Sequence, residues 1–247
     1  MAKITVEICC GSADDVIQAK RAGADRVELN SCLFLGGLTP SIGEFEVAKK
    51  TGLPIMAMVR PREGGFCYTN AEFETMQADA RELLKKGADG IVFGFLHEDG
   101  TVDIDRCRVM MDIIGEKTSV FHRAIDVVPN WRKALDTLIA LKISRVLTSG
   151  QEPSVQYGAD TVREMLEYAA GRIEILPGGG IRINNAQDII KKTNCTQIHA
   201  ALHKNCTDLS ANGNPDIFFG GALYPPEDRY SMADQDKIKE LMQTVNP

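Results

Sequence analysis

Short runs of apolar and β-branched residues alternate with amphipathic stretches along the whole chain. Eight of the runs predict strands: ITVEIC (4–9), RVELN (26–30), PIMAMVR (54–60), GIVFGF (90–95), SVFHR (119–123), RVLTS (145–149), IEILP (173–177) and QIHAA (197–201). Helices are predicted between them, near 13–22, 41–50, 70–86, 104–114, 130–141, 159–170 and 184–192, with a last one over 232–244. Two helix starts carry a chemical mark. Ser41 is followed three residues later by Glu44, and Thr69 by Glu72, the capping-box pattern in which each side chain satisfies an otherwise unpaired amide.

The junction GADRVEL (23–29) returns as GADGIVF (87–93), before the second and fourth strands. Glycine ends a helix in a left-handed turn, and the next strand starts soon after. An α-to-β turn used twice at equivalent places points to a repeated βα unit. Eight such units in 247 residues predict a single (β/α)8 TIM-like barrel over 1–247, with 203–231 a long loop after strand eight and 232–244 a terminal helix. A doubly wound open sheet is the rival, disfavoured by the lack of a GxGxxG turn after the first strand.

Composition narrows the function classes. A chain of this size buries roughly 75% of its unfolded surface and needs no disulfide or metal to hold it together. Net charge is −6, with Lys and Arg dispersed rather than striped, which argues against a nucleic-acid partner. The start has no apolar run of signal-peptide type, and no segment approaches the ~18 apolar residues of a membrane span. A cytoplasmic protein without membrane contact is expected. Its seven cysteines are then expected to be reduced, and no CxxC pair marks a structural zinc site.

In such barrels the working site lies at the C-terminal strand ends. Alternation along strand one directs Thr5, Glu7 and Cys9 inward, and Cys10 away. The same rule directs Glu28 and Asn30 inward from strand two, and Met56, Met58 and Arg60 from strand three, with Arg62 just beyond Pro61. His122, Arg123 and Asp126 end strand five, where either Phe121 or His122 faces in. TSG (148–150) ends strand six, PGGGI (177–181) ends strand seven, and His199 lies on strand eight. The two carboxylates beside two arginines fit a structural ion-pair network as well as a site, since buried charges persist only when paired. Met56 and Met58 read as core filler before metal ligands. His199 and His203 are four apart, but on a strand they diverge, so no joint metal site is expected of them. Gly178, Gly179 and Gly180 leave backbone amides open to a ligand, in the region where many (β/α)8 enzymes hold phosphate.

The successive segments VEICCGS, GADRVEL, GGLTPS, VRPREGGFCY, ADGIVFGFLHEDGTVD, FHRAID, RVLTSG and LPGGGI resemble the CutC copper homeostasis family, in order from about residue 4 to 200. The resemblance implies a cytosolic (β/α)8-type barrel, a homo-oligomer, and copper handling through Cu(I). Family members carry a cysteine at the position of Cys9 and many carry a second directly after the EL of strand two. That second position is Asn30 here, with Cys32 two residues later, so the resemblance makes Cys9 and Cys32 the candidate metal ligands. Strand eight reads HAAL where the family has HSSA or similar, and 203–231 also diverges.

Two functions follow. One is cytosolic binding of Cu(I) at the barrel mouth, since Cu(I) prefers thiolates and thioethers. The other is an enzyme acting on a small anionic molecule, phosphorylated ones included, by proton abstraction, isomerisation or lyase chemistry. There Arg60 and Arg62 hold the anion with the Gly178–Gly180 loop, Glu7 or Glu28 is the base, and His122 is the acid.

Overall fold

The computed structural model describes residues 3–214, 216–220 and 226–247. Eight parallel strands form the barrel: β1 (Thr5–Cys10), β2 (Arg26–Leu29), β3 (Ile55–Met58), β4 (Gly90–Phe93), β5 (Thr118–Phe121), β6 (Arg145–Thr148), β7 (Glu174–Pro177) and β8 (Gln197–Ala200). They pair in the order β7-β6-β5-β4-β3-β2-β1-β8, so each strand lies beside its chain neighbours and β1 meets β8. Helices α1 (Ala13–Ala22), α2 (Ile42–Lys49), α3 (Asn70–Lys85), α4 (Ile104–Ile114), α5 (Trp131–Ala140), α6 (Val155–Ala169) and α7 (Ala186–Thr193) follow the first seven strands. The predicted barrel is the observed fold.

The repeated junction has a physical basis. Gly23 and Gly87 both take left-handed φ, at 84° and 95°. After each, an aspartate caps a neighbouring strand: Asp25 accepts from the Val6 amide and Asp89 from the Ile55 amide, both at 2.9 Å. Thus GAD ends a helix and satisfies an orphan strand amide in one stroke. The capping box at α3 is complete, with Thr69 and Glu72 exchanging bonds. At α2 only half of it forms. Ser41 accepts from the Glu44 amide, while the Glu44 carboxylate turns to the Ala13 amide at the start of α1.

Alternation separates two cores. Val6, Ile8, Val27, Leu29, Ile55, Ala57, Phe93 and Phe121 face the helices. Met56, Met58, Val92, Val120, Leu147 and Leu176 plug the barrel interior. Strand five is thereby decided: Val120 and His122 point in, and Phe121 points out. Below the plug, Glu7, Arg26, Arg145, Glu174 and Gln197 form a polar belt. Arg26 bonds Glu7 at 2.5 Å and Gln197 at 2.6 Å, and Arg145 bonds Glu174 at 2.7 Å. The belt ties β7 to β8, the one neighbouring pair without a hydrogen-bonded ladder among the described residues.

The segment after strand eight differs from the expected loop. β9 (His203–Thr207) and β10 (Arg229–Ala233) pair antiparallel at its two ends. Their sequences, HKNCT and RYSMA, are mostly exposed and give no apolar alternation to read. Asp15 in α1 anchors this ribbon by accepting from the Ala233 amide at 2.6 Å. Part of the expected loop, 215 and 221–225, lies outside the described residues. The terminal helix α8 (Gln235–Val245) starts three residues later than predicted, capped by Asp234, and packs on α1.

Candidate functional site at the barrel mouth

A cavity of about 450 Å³ opens at the C-terminal strand ends. Strands β8, β1 and β2 supply one wall, with His199, Cys9 and Glu28. The loops after β5 and β7 supply the other, with His122, Arg123, Gly179, Gly180 and Arg182, and Arg60 enters from the end of β3.

Register brings the first wall together. Cys9 lies opposite Glu28, and Glu7 opposite His199 one step below. One donor atom each from Cys9, Glu28 and His199 falls within 4.8 Å of the others, the sole such group of three among the described residues. His199 Nδ1 sits 2.8 Å from Glu7 Oε1, which leaves Nε2 for the Cys9 side. Asn30 donates to Glu28 Oε1 at 3.0 Å and lies 3.6 Å from the Cys9 sulfur. Glu28 Oε2 is buried without a partner.

The charges of this wall are set by burial and by the belt. Burial works against ionisation of Glu7, but the His199 hydrogen bond and the charges of Arg26, His199 and Arg145 outweigh it and hold the carboxyl at about 2. Burial works against a charged His199 as well, but Glu28, Cys9 and Glu7 hold it well above the ordinary histidine range. Burial pushes up both the Cys9 thiol, against the pull of His199, and the Glu28 carboxyl, where the Glu7 charge adds to the push.

The second wall carries cationic and neutral donors. His122 Nδ1 accepts from the Ala124 amide at 3.2 Å. A ring nitrogen that accepts has no proton, so the neutral ring carries its proton on Nε2. That N–H is buried and unpartnered, on a ring that lines the cavity. Burial, and then the Arg60 charge, lowers the His122 pKa to about 3. Arg60 stacks over Phe66 at 5.5 Å, and Phe66 lies 4.7 Å from the His122 ring.

Several expected site residues land elsewhere or in another role. Cys32 is exposed and does not line the cavity. β2 ends at Leu29, Ser31 bridges to Leu38, and Cys32 takes a left-handed φ of 48° ahead of a 3₁₀ turn (Leu33–Leu35), so strand alternation no longer applies to it. Arg62 is also outside the cavity. It pairs with Glu72 at 2.6 Å, bonds three backbone carbonyls and stacks on Tyr68 at 5.1 Å. Glu7 belongs to the belt, and a carboxyl held at about 2 makes a poor base. His122 is a neutral donor rather than an acid poised near neutrality. Gly178 sits below the mouth, where an added Cβ would meet Leu147 at 2.6 Å; Gly179 and Gly180 are the glycines that line it. His203 opens β9, beyond the end of β8, and turns to Asp15, 3.7 Å away, so it stands apart from His199.

Other functional positions had weaker sequence signals. His199 joins Cys9 and Glu28 in the group whose donor atoms converge, a position that alternation on QIHAA permits but does not distinguish. Arg182, exposed after β7, stands in no recognisable pattern. Gly94 clears space for His122, since an added Cβ would lie 2.5 Å from its Cε1.

An eight-stranded (β/α)8 barrel with its polar cluster at the C-terminal strand ends defines the class. Within it, the chain belongs to the CutC family, whose sequence profile matches residues 4–204. A CutC family protein of Treponema denticola is 53% identical over 99% of this chain and 100% of its own length. The human copper homeostasis protein cutC homolog is 38% identical over 96% of this chain and 87% of its own. A solved structure of the Streptococcus agalactiae CutC protein superposes with a TM-score of 0.76 at 31% identity, over 79% of this chain and 97% of that one. A phosphoribosyl anthranilate isomerase structure, 14% identical with a TM-score of 0.55 over 99% of this chain and 98% of that one, shares the fold alone.

Proposed function

We propose that this protein binds Cu(I) as cargo at the barrel mouth, with the Cys9 thiolate and the His199 imidazole as its donors. The observation that carries the reading is the convergence of Cys9, Glu28 and His199 within 4.8 Å. Thiolate sulfur is the preferred donor type for Cu(I), and imidazole nitrogen suits copper. The Met58 thioether lines the same cavity. The metal would take the place of the protons now held between these groups. Glu7 supports the role of His199, because a ring nitrogen bound to a carboxylate fixes the orientation and basicity of the other. The copper homeostasis names carried by curated relatives point the same way.

The test is an anaerobic Cu(I) titration of the reduced protein against a competing chelator, with Cys9→Ser and Cys32→Ser beside the wild type. Tight binding of defined stoichiometry, lost in C9S and kept in C32S, is expected. Equal binding in wild type and C9S would remove the proposed site.

A further inference from the structure

The cavity is far larger than one metal ion needs, and its second wall has no part in holding one. Its volume of about 450 Å³ falls in the range of small-molecule sites. We infer that the wall built from Arg123, Arg182, Gly179 and Gly180 is an oxyanion site for a small phosphomonoester, whose remaining polar atoms meet the Nε2–H of His122. The site lies beside the proposed copper ligands and does not share them.

The wall is cationic beyond what the protein itself compensates. Arg60 and Arg182 line the cavity, and neither forms an ion pair among the described residues. Arg60 is only 6% exposed, so its charge is buried with backbone carbonyls as its sole acceptors among the described residues. A buried charge of this kind calls for an anion. Arg123 has one carboxylate partner, Asp126 at 2.8 Å, but Asp126 also accepts from Thr148, Ser149 and Gln151. One carboxylate is thus spread over several donors.

The backbone is open at the same place. Gly179 and Gly180 take φ of 87° and 88°, and their amides donate to nothing among the described residues. A Cβ on Gly179 would stand 3.3 Å from the Arg123 guanidinium. Without side chains, these two glycines let the backbone and the arginine lie close together in the cavity wall. Amides and arginines after β7 are the parts from which (β/α)8 proteins build phosphate sites. Three terminal oxygens use this many donors; the two of a carboxylate do not.

His122 is the independent observation. It is 4% exposed, and its Nε2–H has no partner. Leaving such a donor unmade is costly, and its ring lines the cavity, so a ligand oxygen is the partner proposed for it.

Isothermal titration of the copper-free full chain with glycerol phosphate, inorganic phosphate and glycerol tests the inference. Glycerol phosphate and phosphate are expected to bind and glycerol to fail. Arg182→Met, at an exposed position, should weaken glycerol phosphate about tenfold, the cost of one charge-assisted hydrogen bond. His122→Asn keeps an acceptor for the Ala124 amide, removes the Nε2–H, and should weaken glycerol phosphate but not inorganic phosphate. C9S should bind the anion like the wild type, so failure here and failure of the copper reading are separately visible. No binding of either phosphate at millimolar concentration overturns the inference, as does binding that R182M leaves undiminished.

Discussion

His199 and Glu7 meet at 2.8 Å across the first and last strands of the barrel, Nδ1 against Oε1. The contact joins the belt that closes the barrel to the cluster at its mouth. One carboxylate therefore serves both stability and the site. Glu7→Gln leaves Arg26 and His199 facing a neutral group in a buried position. Removing one partner of a buried pair costs about 3–5 kcal/mol. Urea unfolding at neutral pH should show that loss. A Cu(I) competition titration should show affinity about 10–100-fold weaker, the usual effect of losing the partner behind a ligating histidine.

His122 makes a pH prediction. Its folded pKa is about 3, against 6.5 for an ordinary histidine. Between those values the unfolded chain binds a proton that the folded chain refuses. Stability therefore falls as pH drops through this window, by about 1.4 kcal/mol per unit, and the effect levels off below the folded value. Carboxylates add their own acid sensitivity. The measure is thus the difference between wild type and H122N, by urea unfolding from pH 7 to pH 4. The wild type should lose stability more steeply. Parallel curves would mean that His122 is charged in the folded protein.

Gly94 holds open the space that the His122 ring fills. Gly94→Ala places a methyl where only about 2.5 Å is free. Overpacking of this kind costs about 1–3 kcal/mol, and the ring must shift. Thermal unfolding and the His122 proton resonances should both change. Resonances unmoved by the substitution would contradict the packing described.

Arg60 binds the carbonyls of Leu35, Gly37 and Gly64, so it staples two mouth loops. Arg60→Met removes three charge-assisted bonds, each worth about 1.5–3 kcal/mol before relaxation. Proteolysis should speed up within 33–38 and 61–67 ahead of the helices. Unchanged cleavage would show that the loops hold without it.

The fold was legible because its signals are local and repeated. Gly23 and Gly87, each followed two residues on by an aspartate, mark α-to-β turns without reference to the rest of the chain. Alternation on β1 and β2 directed Glu7, Cys9, Glu28 and Asn30 inward, since both strands bury one face under helices, but it did not show that Glu7 lies in the belt below the mouth. Cys32 came from the family resemblance instead, and it lies past the end of the strand in a left-handed turn, to which alternation does not extend. Arg62 was misplaced because a nearby helix start, through Glu72, offers its guanidinium a better partner than the mouth. The choice between Phe121 and His122 needed the three-dimensional plug of Val92, Val120 and Leu147. The paired strands at His203–Thr207 and Arg229–Ala233 gave no warning, because an exposed ribbon has no apolar face to read.

In the proposed site, copper is held by one sulfur and one imidazole nitrogen. X-ray absorption at the copper edge, on the anaerobic Cu(I)-loaded protein, measures that shell directly. A mixed first shell is expected, in which sulfur from Cys9 and nitrogen from His199 are both present, with the nitrogen contribution lost in His199→Ala. A shell of sulfur alone, unchanged in H199A, would contradict it and return the ligand question to a pair of cysteines.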